Sequence, residues 1–155
     1  MFERTANTPS ETAKTAQQLA SALPPPPLCI HLQGDLGAGK TLWVRALLRA
    51  LGGAENVPSP SFALALSYAL PSLLVHHLDL FRLPLGKQMP ADLLEYLYDD
   101  NALCLIEWPE RMVDLPPPDV HVKFEFVSDE QRRLIFSAGS DKGMMCLRAL
   151  TWQNK

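Results

Sequence analysis

The chain has 155 residues, 47% of them hydrophobic, and its 14 Lys and Arg against 17 Asp and Glu give a net charge of −3. This length predicts a single domain over residues 1–155 with a sizeable core, and the charge gives no reason to expect strong, direct binding of nucleic acid. The three separated cysteines argue against a disulfide framework, and without a long apolar segment or a targeting signal we expect a cytoplasmic protein, not a membrane protein.

Hydrophobic periodicity predicts an alternation of helices and strands along the chain. In chain order, the predicted elements are a helix over 9–22, a strand over 28–33, a helix over 40–51, strands over 62–69 and 73–78, a helix over 91–97, strands over 103–106, 120–127 and 133–138, and a helix over 142–150. Strands flanked by helices predict an α/β fold, here a three-layer domain with a central, mostly parallel sheet flanked by helices.

Residues 34–41 read GDLGAGKT and match the phosphate-binding pattern G-x-x-x-x-G-K-[ST] at every fixed position. Glycines at 34, 37 and 39 allow backbone conformations barred to other residues, so that successive N–H groups can face an anion. The following helix adds the positive end of its dipole. The residues assigned to nucleotide are Asp35, Leu36, Gly37, Ala38, Gly39, Lys40 and Thr41. The motif predicts a P-loop NTPase-like domain in which Lys40 contacts the β- and γ-phosphates and the Thr41 hydroxyl contacts Mg²⁺.

Two acidic residues stand where predicted strands end. Asp79 follows the apolar run of the strand over 73–78, and Glu107 follows the strand over 103–106. Open α/β sheets place their chemistry at the carboxyl ends of strands, and a P-loop enzyme needs a carboxylate there to hold Mg²⁺ directly or through water. We therefore predict that Asp79 and Glu107 belong to the metal site, although the pattern does not divide their duties.

Four motifs, in this order and spacing, carry a resemblance to a known family. They are GDLGAGKT at 34–41, SPSF at 59–62, HLDLFRL at 77–83 and IEWPE at 106–110. From about Pro9 to Phe136 the chain resembles the TsaE family, the bacterial ATPases of tRNA threonylcarbamoyladenosine biosynthesis. Because four linked motifs agree, the resemblance is far more specific than the phosphate loop alone.

The resemblance implies a small P-loop ATPase that binds ATP and Mg²⁺ and works with TsaB and TsaD. Together these proteins would transfer threonylcarbamoyl to the adenosine beside the tRNA anticodon, so this chain would meet tRNA only through the complex. By the same resemblance, Lys40 and Thr41 serve the phosphates and Mg²⁺, Glu107 is the acidic metal ligand, and Asp79 orients water or supports the metal. The isolated chain would hydrolyse ATP slowly, with stimulation by the partners.

The resemblance also implies further nucleotide contacts outside the phosphate loop. Ser61 stands where the family usually has Thr, in a segment similar to the first switch of GTPases, and it keeps the hydroxyl that could contact phosphate or metal. Glu11 and Thr12 match a position near the nucleotide base. Arg132 matches an arginine that reaches the nucleotide from a late strand.

Two other functions stay open from the sequence. A nucleotide-switched binding module with negligible hydrolysis would bind ATP and its partners even when turnover is blocked. A small-molecule kinase usually has an arginine-rich lid, whereas residues 83–102 contain no Arg and only Lys87. A GTPase is disfavoured because no N-K-x-D or T-K-x-D segment is present to read guanine. His76 and His77 do not form a metal-binding pair, since neighbouring strand residues point to opposite faces.

Overall fold

In residues 1–53, 58, 60 and 63–150, which the computed structural model describes, the chain forms one seven-stranded sheet and four α-helices. The strands are β1 (Phe2–Ala6), β2 (Leu28–Gln33), β3 (Ala65–Ala69), β4 (Leu74–Asp79), β5 (Ala102–Glu107), β6 (Val120–Phe126) and β7 (Arg132–Ala138). The helices are α1 (Pro9–Ala20), α2 (Lys40–Ala50), α3 (Leu94–Leu97) and α4 (Asp141–Ala149), with 3₁₀ turns at Ala91–Leu93 and Pro109–Arg111. None of the helices in these ranges is long and apolar enough to span a membrane.

The strand order is β1-β7-β6-β2-β5-β4-β3. The central pairs β6–β2, β2–β5 and β5–β4 are parallel, whereas β1–β7, β7–β6 and β4–β3 are antiparallel. The α/β prediction is therefore confirmed, with the parallel pairings at the centre of the sheet and antiparallel strands at both margins. The parallel strands β2, β5 and β4 place their carboxyl ends at one edge of the sheet.

Two hydrophobic clusters cover the two faces of this sheet. On one face, α1 and α2 bring Leu19, Trp43 and Leu47 against Ile30 of β2 and Leu105 of β5. The second cluster connects β4 and β5 to the segment that contains α3 and both 3₁₀ turns, and its buried members are Leu78, Leu80, Met89, Leu93, Cys104, Ile106 and Met112. Because successive strand residues alternate between faces, the same strands supply both clusters and form the middle of three layers.

Most predicted elements are present, with three differences. Strand β1 was not predicted, and it pairs with β7 at the sheet margin. The described part of the predicted strand over 62–69 becomes extended only at Ala65, because Leu64 has a left-handed backbone (φ 64°) and its C=O accepts a hydrogen bond from the Asp79 N–H at 2.9 Å. The predicted helix over 91–97 consists of a 3₁₀ turn followed by the single turn of α3.

Candidate nucleotide-binding site

The phosphate loop connects the carboxyl end of β2 to the first residue of α2. Gly37 and Gly39 have left-handed backbones, with φ values of 77° and 106°, which explains the need for glycine at both positions. Gly34 is required for a different reason from the one expected: a Cβ atom at this position would lie 2.9 Å from the Phe124 carbonyl oxygen of β6. Backbone freedom shapes the second half of the loop, whereas close strand packing fixes its first residue.

The Lys40 side chain is buried at the amino end of α2 and points back over the loop. Its Nζ donates to the carbonyl oxygens of Gly34 and Asp35, the latter at 3.0 Å, and lies 4.4 Å from the ring centroid of Trp108. Burial lowers the pKa of Lys40, and the nearby carboxylates, Glu107 foremost, oppose that shift. A cation is thus held where the phosphates of a bound nucleotide would lie.

Thr41 and Glu107 meet at the same edge of the sheet. The Thr41 hydroxyl donates to Glu107 Oε1 at 3.4 Å, and Glu107 Oε2 accepts a hydrogen bond from His77 Nε2 at 2.7 Å. Hydroxyl and carboxylate oxygens are the ligands that Mg²⁺ prefers, usually completed by water and substrate phosphates. Within the described ranges no group of three or more His, Cys, Asp or Glu side chains is arranged to hold a metal alone. The Thr41–Glu107 pair fits Mg²⁺ that is bound together with a nucleotide.

Asp79 lies beside Glu107 because the two residues are register partners at the ends of the parallel strands β4 and β5. Its Oδ1 accepts a hydrogen bond from the Phe81 N–H at 3.1 Å, and the residue is only 8% exposed. Burial raises the pKa of Asp79, and the charge of Glu107 adds to the rise, while the Phe81 N–H lowers the pKa. The two acids that sequence analysis singled out therefore stand side by side, and the structure places both next to the loop.

These side chains open onto a cavity of about 330 Å³. Its lining residues are Leu36, Gly37, Gly39, Lys40, Thr41, Leu42, Asp79, Phe81, Glu107 and Trp108. Phe81 and Trp108 were not among the predicted site residues. Their ring centroids are 4.9 Å apart, and the Arg111 guanidinium lies 5.2 Å from the Phe81 ring. Trp108 also has a left-handed backbone (φ 59°), which is rare for a bulky residue. The signal in the sequence was position within the motifs: Trp108 directly follows Glu107, and Phe81 is two residues after Asp79.

Two further predicted nucleotide contacts, Arg132 and Thr12, lie next to the loop. Arg132 donates to the Gly37 carbonyl oxygen at 3.3 Å, and its guanidinium lies 4.2 Å from the Phe126 ring. Thr12 is buried close to the loop, since its Cγ2 would be 3.6 Å from a Cβ atom at Gly39. Its hydroxyl has no hydrogen-bond partner among the described residues. Thr12, early in the chain, and Arg132, late in the chain, therefore both lie next to the phosphate loop.

Glu11 and Ser61 are the other two residues that were predicted to contact the nucleotide outside the phosphate loop. The Glu11 carboxylate accepts a hydrogen bond from the Asn7 N–H at 2.6 Å, and the Glu11 N–H donates to Thr8 Oγ1 at 3.2 Å. These contacts make Glu11 part of the amino-terminal cap of α1. Ser61 lies outside the described residues.

Comparison with known proteins agrees with this geometry. The family model "Threonylcarbamoyl adenosine biosynthesis protein TsaE" matches residues 6–135. Proteins called tRNA threonylcarbamoyladenosine biosynthesis protein TsaE are similar over most of their length. The Rickettsia felis protein is 37% identical, covering 83% of this chain and 74% of that protein, and the Bacillus subtilis protein is 32% identical, covering 92% and 89%.

A solved structure shows the same architecture. The crystal structure of Bacillus subtilis YdiB superposes with a TM-score of 0.77 at 26% sequence identity, covering 96% of this chain and 93% of that chain. The segment that the family model matches includes the phosphate loop and the strands that end in Asp79 and Glu107. By the extent of this match, the chain belongs to the TsaE family.

Proposed function

We propose that this chain is a Mg²⁺-dependent ATPase of the cytoplasmic machinery that makes N6-threonylcarbamoyladenosine in tRNA, where it acts with TsaB- and TsaD-like partners. The observation that carries the proposal is the placement of Lys40, Thr41, Asp79 and Glu107 around one cavity at the phosphate loop. The names of the family and of its curated members supply the pathway.

Lys40 and the loop stabilise charge on the transferred phosphoryl group. The Lys40 ammonium donates to the neutral Gly34 and Asp35 carbonyls, and a phosphate bound there would offer it charged oxygens instead. The positively charged ammonium attracts a negatively charged phosphate oxygen more strongly than a neutral carbonyl oxygen, which favours this exchange. The N–H groups of the loop and of the start of α2 add donors that need no reorganisation.

The acidic pair serves the metal and the attacking water. Thr41 Oγ1 and Glu107 Oε1 would hold Mg²⁺, which supplies charge neutralisation on the β- and γ-phosphate oxygens when it is bound. Asp79, fixed by the Phe81 N–H next to Glu107, orients water or supports the metal ligand. Both carboxylates are buried, so their orientation is set by the strands and not by solvent.

We expect slow hydrolysis by the isolated chain because of the residues that line the cavity. None of the described residues that line it is an arginine, the group that accelerates phosphoryl transfer by about 10³–10⁵ when it contacts the γ-phosphate. Arg111 stacks near Phe81, and Arg132 is bonded to backbone carbonyls of its own turn and of Gly37. A partner that supplies or repositions a cation would therefore raise the rate.

The test is ATP hydrolysis by the purified chain, alone and with the matching TsaB and TsaD proteins. We expect slow turnover alone and clear stimulation by the partners. Lys40→Ala should lose both, and Glu107→Ala should retain some nucleotide but lose Mg²⁺-dependent turnover. Equal turnover with and without partners contradicts the proposal. Tight ATP binding without stimulated turnover would instead favour the nucleotide-switched binding module.

A further inference from the structure

His77 is a buried histidine that the proposed mechanism does not yet use. It lies on β4 between Val75 and Asp79, and alternation places all three on the face that packs against α2. Its Nε2 is 2.7 Å from Glu107 Oε2, and both side chains are 2% exposed. An ionised carboxylate only accepts hydrogen bonds, so the ring proton is on Nε2 and His77 is the donor.

This contact makes the two oxygens of Glu107 unequal. Oε2 accepts a hydrogen bond from the imidazole N–H of His77, whereas Oε1 accepts one from the Thr41 hydroxyl at 3.4 Å. His77 Nδ1 is buried and has no hydrogen-bond partner in the described part of the chain, so among those residues Glu107 is the hydrogen-bond partner that orients the ring. The arrangement leaves Glu107 one oxygen, Oε1, directed at the cavity.

The number of available carboxylate oxygens matters for the choice of metal. Ca²⁺ is larger, takes six to eight oxygen ligands and often binds both oxygens of a carboxylate. Mg²⁺ takes six ligands in near-ideal octahedral geometry and usually one oxygen from each carboxylate. A donor fixed on the second oxygen takes one of its two lone pairs and competes with the cavity for that oxygen. This disfavours binding through both oxygens, which Ca²⁺ can use and Mg²⁺ does not need.

Resting on the proposed function, we propose that His77 is a positioning residue that restricts Glu107 to a single ligating oxygen and thereby favours Mg²⁺ over Ca²⁺ in the nucleotide complex. Partners that orient a metal ligand typically change metal affinity by about 10–100-fold when they are removed. The effect is local to His77: the neighbouring His76 points to the opposite face and is bonded to Asp99 and Ser67.

Four variants of the full chain separate this role from simple packing. His77→Leu removes the donor. His77→Gln keeps it, because the Gln amide nitrogen is as many bonds from the backbone as His Nε2. His77→Asn is the matched control, since its amide nitrogen corresponds to Nδ1 and falls short of Glu107. His76→Gln alters the adjacent strand residue, which does not contact the site. Circular dichroism establishes that each variant is folded.

The measurement is calorimetric titration of Mg²⁺, and separately of Ca²⁺, into protein saturated with a non-hydrolysable ATP analogue. We expect His77→Leu and His77→Asn to bind Mg²⁺ about 10-fold or more weakly than the wild type. Their ratio of Mg²⁺ affinity to Ca²⁺ affinity should be lower than that of the wild type. His77→Gln and His76→Gln should stay within about threefold of the wild type, a change of less than 0.7 kcal/mol. If His77→Leu does not fold, the comparison of His77→Gln with His77→Asn decides.

The outcomes distinguish this inference from the proposed function. A wild-type chain that binds neither the ATP analogue nor Mg²⁺ overturns both. A wild-type chain that binds both, with folded His77 variants whose Mg²⁺ to Ca²⁺ ratio equals that of the wild type, overturns only the role of His77. A His77→Gln variant as impaired as His77→Asn also contradicts it, because the donor would then not be the property that matters.

Discussion

Lys40 combines burial with contacts that lie on the cavity side of the loop, so its removal should affect ligand binding more than folding. Lys40→Ala leaves the Gly34 and Asp35 carbonyls without the ammonium, but both residues line a neighbouring cavity of about 380 Å³, where water can replace it. We expect loss of ATP hydrolysis by at least about 10²-fold and weakened nucleotide binding, with an unchanged circular dichroism spectrum. Lys14→Ala, on the exposed side of α1, is the control and should behave as the wild type. Loss of folding would show that Lys40 is mainly structural.

We predict that the ionised, buried carboxylate of Asp79 destabilises the folded protein at neutral pH. Its pKa is raised by burial, so the native state binds the proton more tightly than the unfolded chain does. Stability therefore falls as the pH rises from the unfolded pKa, about 3.9, through the higher native value. Asp79→Asn removes the buried charge and keeps an Oδ1 atom for the Phe81 N–H.

We therefore expect Asp79→Asn to unfold at a higher temperature than the wild type at pH 7, while its ATP hydrolysis falls. The difference between the two unfolding midpoints should shrink as the pH falls to 4 and below, because the wild-type carboxyl then becomes protonated in the unfolded chain as well as in the native state. Thermal unfolding followed by circular dichroism across this range measures it. Asp100→Asn, at an exposed position, should change stability by less than about 0.5 kcal/mol. A less stable Asp79→Asn at pH 7 would contradict the assigned pKa shift.

At the level of single residues, the sequence predicted a site from residue type and spacing. Lys40, Thr41, Asp79 and Glu107 converge as expected because a motif fixes the first two and strand ends fix the others. The hydrogen bond from His77 could not be predicted, since it requires knowing that β4 and β5 are neighbours. The same is true of the contact between Gly34 and Phe124, which depends on the pairing of β2 with β6.

At the level of elements, α4 shows how tertiary packing overrides local propensity. Gly143 lies in this helix, where alanine would normally be favoured by about 1 kcal/mol. A Cβ atom there would be 1.7 Å from the backbone oxygen of Asp119, which cannot move aside like a side chain. Asp119 is itself fixed, because its carboxylate accepts hydrogen bonds from the Cys29 N–H and the Ser140 hydroxyl.

Gly143→Ala should therefore destabilise the protein, by about 1–3 kcal/mol, against the direction that helix propensity predicts. Urea unfolding measures the free energy, and the slope with urea should be unchanged. Met145→Ala in the same helix is the matched control, because Met145 is 68% exposed and its replacement should stay within about 0.5 kcal/mol. A more stable Gly143→Ala would show that α4 can shift away from the start of β6 at little cost.

Elements with a clear period were predicted, and those stabilised by their neighbours were not. Strand β1 has only five residues, three of them polar, and it is extended because it pairs with β7 across the length of the chain. The start of β3 is set by the left-handed backbone of Leu64 and its hydrogen bond to Asp79. Neither feature has a local sequence signal.

For the whole molecule, the order of strands in the sheet could not be predicted from the sequence, because periodicity describes each element and not the strands it pairs with. The antiparallel pairs β1–β7, β7–β6 and β4–β3 at the sheet margins join segments whose own patterns do not show which strand each one pairs with. The P-loop motif and the class of fold nevertheless predict where the candidate site lies, since P-loop chemistry is placed at the carboxyl ends of parallel strands whichever strands flank them.

The charge of the whole molecule gives the last prediction, that the isolated chain does not bind tRNA appreciably. Its net charge is −3, and several cations are already engaged: Arg133 and Lys123 with Glu125, Lys142 with the Pro27 carbonyl. Binding to a polyanion without sequence readout depends on Lys and Arg that displace counterions from phosphates. We expect a dissociation constant weaker than about 10⁻⁴ M at physiological salt, measured by fluorescence anisotropy of labelled tRNA.

The same titration with TsaB- and TsaD-like partners present is the comparison, and tighter binding should appear only there, because the partners would carry the tRNA contacts. Repeating it at several salt concentrations identifies the source of any affinity, since each phosphate neutralised adds about 0.9 to the slope of log affinity against log salt for a duplex. Tight binding by the chain alone with a steep slope would mean that some of its lysines and arginines form a local cationic patch. In that case the distribution of charge over the surface, and not the net charge, would determine whether this protein binds tRNA.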